Sequence, residues 1–250
     1  MEATVWYLLK IFDDERWADA FMRGELRLNR LRHFKKIEEK EYADDARPDE
    51  HEAASHWWQP DKVRIKLNIH GVGELDITDD LAGPVVTSYS HHENLHVLCL
   101  YAIRTFGISI QGETFLISDE DADRVREQLF VSEKVAKFGR HGVLIDAATF
   151  IEKMKIALRT RGVGFASNLV EYYDDETFNG EIKVDRIPFS KRKRFSFQNE
   201  YRFVVNTKTE GDDHLQLELG DISDFCRKVD PLELNNLFKF EKVEIPLPLN

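Results

Sequence analysis

The sequence predicts an α+β fold: a single domain over residues 1–250, with mainly antiparallel sheets and a few peripheral helices. Three observations lead there. Segments with period-two alternation, or short apolar runs bounded by turn residues, recur along the chain. Helical periods are few, and each follows a polar cap. No repeat, low-complexity tract or Gly/Ser linker divides the 250 residues. Runs of strands broken by few helices suit antiparallel sheets better than a doubly wound parallel sheet.

Taken in order, Val5 to Phe12 is an apolar run with Trp6 and Tyr7, short enough for a buried first strand. Asp13 offers a cap, Trp17, Ala20 and Phe21 recur at helical spacing, and Gly24 supplies a stop, which predicts a helix over Asp14 to Arg23. Glu25 to Arg32 alternates around Leu26 and Leu28 as a second strand. From Phe34 to Pro60 no apolar period persists, and this predicts a long, partly helical loop near the active site, with Tyr42, Trp57 and Trp58 as its ordered part. Val63 to Ile77 reads as a hairpin turning at Gly71 to Gly73. Val85 to Tyr89, Val97 to Ile103, Phe106 to Ile110 and Thr114 to Ile117 are further strands. Ser118 or Asp119 and then Asp146 cap two helices, with a strand at His141 to Ile145 between them. Extended segments follow at Leu169 to Tyr173, Ile182 to Phe189, Gln198 to Asn206, Leu215 to Leu219 and Val243 to Leu247, with a short helix near Asp221 to Arg227.

A formal charge of −11 disfavours a broad, nonspecific grip on nucleic acid, although a local basic groove is compatible with it. Cys99 and Cys226 lie far apart without CxxC spacing, so neither a disulfide framework nor a structural zinc site is suggested, and a reducing cytoplasm fits best. The opening MEATVWYLLK lacks the pattern of a secretory signal, and no apolar run approaches the ~20 residues of a membrane-spanning helix; no membrane role is expected. His91, His92 and His96 invite a zinc reading, but they sit in a loop entering a strand and lack the HExxH pattern, so no metal is predicted. There is no G-x-S-x-G elbow, phosphate-binding GxxxxGK[ST] loop or strand-following GxGxxG.

The stretch richest in chemistry is Phe195 to Val205, FSFQNEYRFVV. In a strand, Gln198, Glu200 and Arg202 point one way, and Asn199, Tyr201, Phe203 and Val205 the other. A carboxylate at the rim of a ring-lined groove can hold a ribose hydroxyl and stabilise positive charge as a glycosidic bond breaks; equally, alternating polar residues are ordinary on a half-exposed strand edge. Lys191, Arg192, Lys193 and Arg194 precede it. They suit phosphates of a nucleic-acid acceptor, with Phe195 or Phe197 stacking on a base, or simply a solvated turn. A second constellation is Arg47-Pro48-Asp49-Glu50-His51-Glu52, preceded by Glu38 and Glu39. It reads as ordering an acceptor or cofactor loop through Arg47, as binding a cation through its carboxylates, or as a solvated acidic loop, and no metal is predicted from it.

The order of an aromatic first strand (VWYLLKI), a helix, a strand carrying Asn29 and Arg30, a middle TSYS element and a late Gln-x-Glu strand resembles the ADP-ribosyltransferase superfamily, in its toxin-like, uncharacterised bacterial or phage-defence branch. The resemblance implies a split β-sandwich that takes NAD as substrate and moves ADP-ribose onto a macromolecular acceptor, RNA, DNA or protein, under the control of an inhibitory protein partner. It implies that Glu200 is catalytic, contacting the nicotinamide ribose, and that Gln198 faces the acceptor. Where the superfamily carries a first-strand Arg or His, this chain offers Tyr7 and Lys10; Arg30 would grip the pyrophosphate. Ser88, Tyr89 and Ser90 correspond to the middle element that supports the cofactor, and Tyr7 or Tyr89 would pack on nicotinamide. A noncatalytic nucleotide- or nucleic-acid-binding module on the same fold is the alternative, and a structural or host-interaction protein a third reading.

Overall fold

A computed structural model describes residues 3–36, 49–107 and 118–237. The chain is α+β, with mainly antiparallel sheets and few helices. Its elements are β1 (Ala3–Phe12), α1 (Glu15–Met22), β2 (Glu25–Arg30), α2 (Leu31–Lys36), β3 (Ala54–Trp58), β4 (Lys66–Ile69), β5 (Gly73–Asp76), β6 (Val85–Ser88), α3 (Ser90–Glu93), β7 (His96–Phe106), α4 (Asp119–Leu129), β8 (His141–Asp146), α5 (Ala147–Thr160), β9 (Gly164–Leu169), β10 (Glu171–Tyr173), β11 (Gly180–Glu181), β12 (Ser190–Arg192), β13 (Glu200–Asn206), β14 (Leu215–Glu218), β15 (Cys226–Val229) and α6 (Leu234–Leu237).

β7 is the hub. It lies in the strand path β14-β2-β7-β1-β8-β15, and β13 pairs both with it and with β9. The early half of β7 pairs with β13, Glu200 opposite Tyr101 and Arg202 opposite Cys99, while its later half pairs with β1. Because opposite residues of a ladder share a face, Cys99 and Tyr101 lie beside Arg202 and Glu200. The other face of β13 sends Tyr201, Phe203 and Val205 into the main core with Leu8, Leu98, Leu100, Phe150 and Met154. α1 and α5 cover that core; α1 is capped by Asp14, which accepts from the Arg16 amide, one residue later than the expected Asp13, and α5 by Asp146, as expected, which accepts from the Thr149 amide. Ser118 likewise caps α4.

Several expectations are revised. Leu31–Lys36 is helical rather than the end of a strand. The expected 34–60 loop contains β3, since Trp57 buries on one face while His56 and Trp58 stay half-exposed on the other, a strand pattern too short to stand out among charges. Ser90–Glu93 forms a helical turn instead of a loop. Ile182–Phe189 is not one strand: its apolar residues enter a second core through a 3₁₀ turn at Ile187–Phe189 containing Pro188. The 221–227 helix is reduced to a 3₁₀ turn at Ser223–Phe225, followed by β15. The expected strands at 108–110, 114–117 and 243–247 lie outside the described residues.

Candidate functional site

The Gln-x-Glu pattern does not lie in one strand. Lys193–Gln198 is a 3₁₀ turn, Asn199 is left-handed (φ 38°, ψ 54°), and β13 starts at Glu200. Asn tolerates this conformation better than most residues. Its side-chain amide donates to Ala102 O at 2.5 Å, while its own carbonyl accepts from Ala102 N at 2.7 Å. The kink turns Gln198 and Glu200 toward one cation: Lys191 Nζ donates to Gln198 Oε1 at 2.7 Å and stands 3.5 Å from Glu200 Oε2.

Glu200 is therefore no rim carboxylate. At 5% exposure it belongs to a buried set of paired charges on the β13 face opposite the main core. Arg202, 1% exposed, binds Glu200 through both oxygens (Nε to Oε1 2.7 Å, Nη2 to Oε2 3.2 Å), Glu52 Oε1 at 2.7 Å and the Pro188 carbonyl at 2.8 Å. Such two-point guanidinium–carboxylate contacts fix geometry as well as charge. Glu52 Oε2 is 3.5 Å from Lys191 Nζ and makes no hydrogen bond among the described residues. One turn earlier, Asp49 takes the Arg192 guanidinium on Oδ1 at 2.9 and 2.5 Å. Three anions and three cations thus come together in buried positions, from residues 49–52, 191–192 and 200–202. Rings enclose them. Lys191, Arg192 and Arg194 surround Phe195 at 5.0, 5.7 and 4.7 Å, Trp57 stands against His51 and Tyr173, and Tyr172 Oη accepts the Glu200 amide at 2.9 Å.

Burial alone would raise the Glu200 pKa, but Arg202 and Lys191 outweigh it and hold the carboxyl well below the usual range. Arg202 and Lys191 are held above theirs, the carboxylates overcoming desolvation. Burial first, and Glu200 second, push the Cys99 thiol up to about 12 and the Tyr172 phenol well above its normal value, which removes both as nucleophiles near neutrality. A fixed carboxylate anion among neutral polar groups and cations can stabilise a developing positive charge or orient hydroxyls.

Other predicted residues are placed apart. Of the basic run, Lys191 and Arg192 are buried, whereas Lys193 is exposed and paired with Asp174 at 2.8 Å, and Arg194 is exposed. A charge run reads as solvated, so the sequence hides the burial of its first two members. Arg30, 3% exposed, spends its guanidinium on the carbonyls of Asn94, Thr209 and Asp213 at 2.6, 2.8 and 3.0 Å. Ser88, Tyr89 and Ser90 lie at the end of β6 and the start of α3; Lys35 donates to Ser88 Oγ at 3.3 Å, and Tyr89 meets the rings of His56, His91 and His92. Tyr7 is 39% exposed on β1, paired with Ile103 and Asp146. Arg47 lies outside the described residues. No group of three or more His, Cys, Asp or Glu arranged to hold a metal occurs among the described residues. A surface depression of about 500 Å³ lies elsewhere, beside Asp19, Arg23, Cys226 and Lys228.

Asp49 and Glu52 as partners of 191–202 are what sequence reasoning misses. Both stretches stand out as charged, and their opposite signs are the available hint that they meet. No protein-family model matches the chain, and neither a curated protein nor a solved structure matches it.

Proposed function

We propose that the chain is a mono-ADP-ribosyltransferase on a split β-sandwich, cleaving NAD and passing ADP-ribose to a macromolecular acceptor, nucleic acid or protein. The observation that carries this reading is Glu200, held ionised at the start of β13 and tied through Lys191 to Gln198. As the bond from ribose to nicotinamide lengthens, positive charge grows on the ribose. An anion already fixed by Arg202 stabilises it without reorganising. Phe195 and Gln198 pack on Lys191, so this reading requires the Lys193–Gln198 turn to lift away before substrate reaches Glu200. Exposed Lys193 and Arg194 on that turn then face the acceptor. In this reading the protein is a cytoplasmic toxin or phage-defence effector that an inhibitory partner restrains. No helix among the described residues is long and apolar enough to cross a membrane.

One observation favours a second reading, a noncatalytic nucleotide- or nucleic-acid-binding module: both Glu200 oxygens are occupied by Arg202 and the residue is 5% exposed. Incubation with NAD labelled in the nicotinamide, beside separate protein, RNA and DNA pools, separates the two. The enzyme reading expects nicotinamide release by the wild type and a fall of about 100-fold or more in Glu200→Gln, assayed at a temperature where circular dichroism shows the variant folded. Absence of release with every pool leaves the binding module.

A further inference from the structure

Two carboxylates reach the same guanidinium, and their surroundings differ. Glu200 is bound at both oxygens. Glu52 uses Oε1 on Arg202, while its Oε2, in a residue 1% exposed, lacks a hydrogen bond among the described residues; Lys191 at 3.5 Å is too distant to supply a good one. An unmatched buried carboxylate oxygen is costly, and such atoms are rare unless something further completes them. Paired carboxylates in unlike environments divide their work, one staying an anion while the other moves a proton. Gln198 cannot take that proton, because an amide is not basic and its Oε1 already accepts from Lys191 at 2.7 Å.

We propose that Glu52 is the acceptor-side base of this site, its Oε2, ion-paired with Lys191 at 3.5 Å but without a hydrogen bond among the described residues, receiving the proton of an attacking hydroxyl, that of the acceptor or of water. This rests on the NAD-cleaving reading above. The step balances: the carbon–nitrogen bond to nicotinamide breaks with its electron pair staying on the ring nitrogen, which leaves neutral. The hydroxyl oxygen bonds to the ribose carbon, and its proton passes to Glu52 Oε2 and on to water. Glu200 holds the charge and Glu52 holds the proton, with Arg202 fixing the two relative to each other.

The test is nicotinamide release by the full chain, with and without azide, a nucleophile that has no proton to surrender. Glu52→Gln keeps the Arg202 contact in form and is expected to lose about 10²- to 10⁴-fold in release to hydroxyl acceptors. Azide restores release in Glu52→Gln, giving the ribosyl azide, and does not restore it in Glu200→Gln. Glu52→Asp, which keeps a carboxylate, retains release to hydroxyl acceptors at a lower rate. A wild-type rate in Glu52→Gln, or a loss that azide leaves unrepaired while the wild type turns over, overturns the assignment. No release from the wild type defeats the functional reading itself, and this inference with it.

Discussion

Replacing Arg202 with methionine keeps an unbranched apolar stem in place of the arginine methylenes and removes the guanidinium and its charge. The guanidinium makes two hydrogen bonds to Glu200, one to Glu52 and one to Pro188 O, all buried. After Arg202→Met, the anions Asp49, Glu52 and Glu200 face only the cations Lys191 and Arg192 within the cluster, and the Lys191 contacts are 3.5 Å long. Breaking a buried ion pair from one side costs about 3–5 kcal/mol, because the abandoned charge stays desolvated. For a chain of this length that corresponds to a melting temperature lower by roughly 6–20 °C. Urea titration and thermal melts at neutral pH read the loss. Adding Glu52→Gln removes one of the abandoned anions, so the double variant is expected to regain at least about 1 kcal/mol relative to additivity. A single-variant loss under about 1 kcal/mol, or strict additivity, would refute the view that these charges are buried as a mutually dependent set.

Two further outcomes follow from other parts of the fold. Burial, with the neighbouring His91 ring 4.3 Å away, lowers the His92 pKa from 6.5 to about 4. The unfolded chain therefore binds a proton below pH 6.5 that the folded chain refuses until about 4, so His92 contributes stability above pH 6.5 that is lost as the pH falls through this window. Denaturation midpoints between pH 7 and 4 should show a shallower slope in His92→Gln, and an unchanged slope counts against it. At the end of α1, Gly24 has φ +86°, and a Cβ there would come within 2.0 Å of Gly220 O. Gly24→Ala is expected to cost more than about 1 kcal/mol in thermal melts, and a neutral result would contradict this close approach.

What was legible in the sequence is local. The caps at Ser118 and Asp146 announce their helices through side-chain chemistry that acts within three residues, and the first helix is announced too, although its cap is Asp14 and not the expected Asp13. The alternation of β13 correctly separates Tyr201, Phe203 and Val205, in the main core, from Glu200 and Arg202 on the other face. The phase of Gln198 was not legible, because one left-handed residue, Asn199, resets the backbone between two patterns that look continuous. Nor was the burial of Lys191 and Arg192, whose partners Asp49 and Glu52 lie in another stretch that also reads as solvated. Period and capping describe neighbours; they carry no information about a charge neutralised from far along the chain.

That distance sets when the cluster can assemble. Glu52 and Arg202 are 150 positions apart, and Asp49 and Arg192 are 143 apart. Their ions stay hydrated until the chain between them has been brought to closure, and contacts that demand so large a loop tend to form after the local ones. The Glu52–Arg202 and Asp49–Arg192 pairs are therefore expected to form on the native side of the folding barrier. Weakening them is expected to leave the speed of folding largely untouched and to shorten the lifetime of the folded state, so that these long-range charges act as a kinetic lock on the molecule.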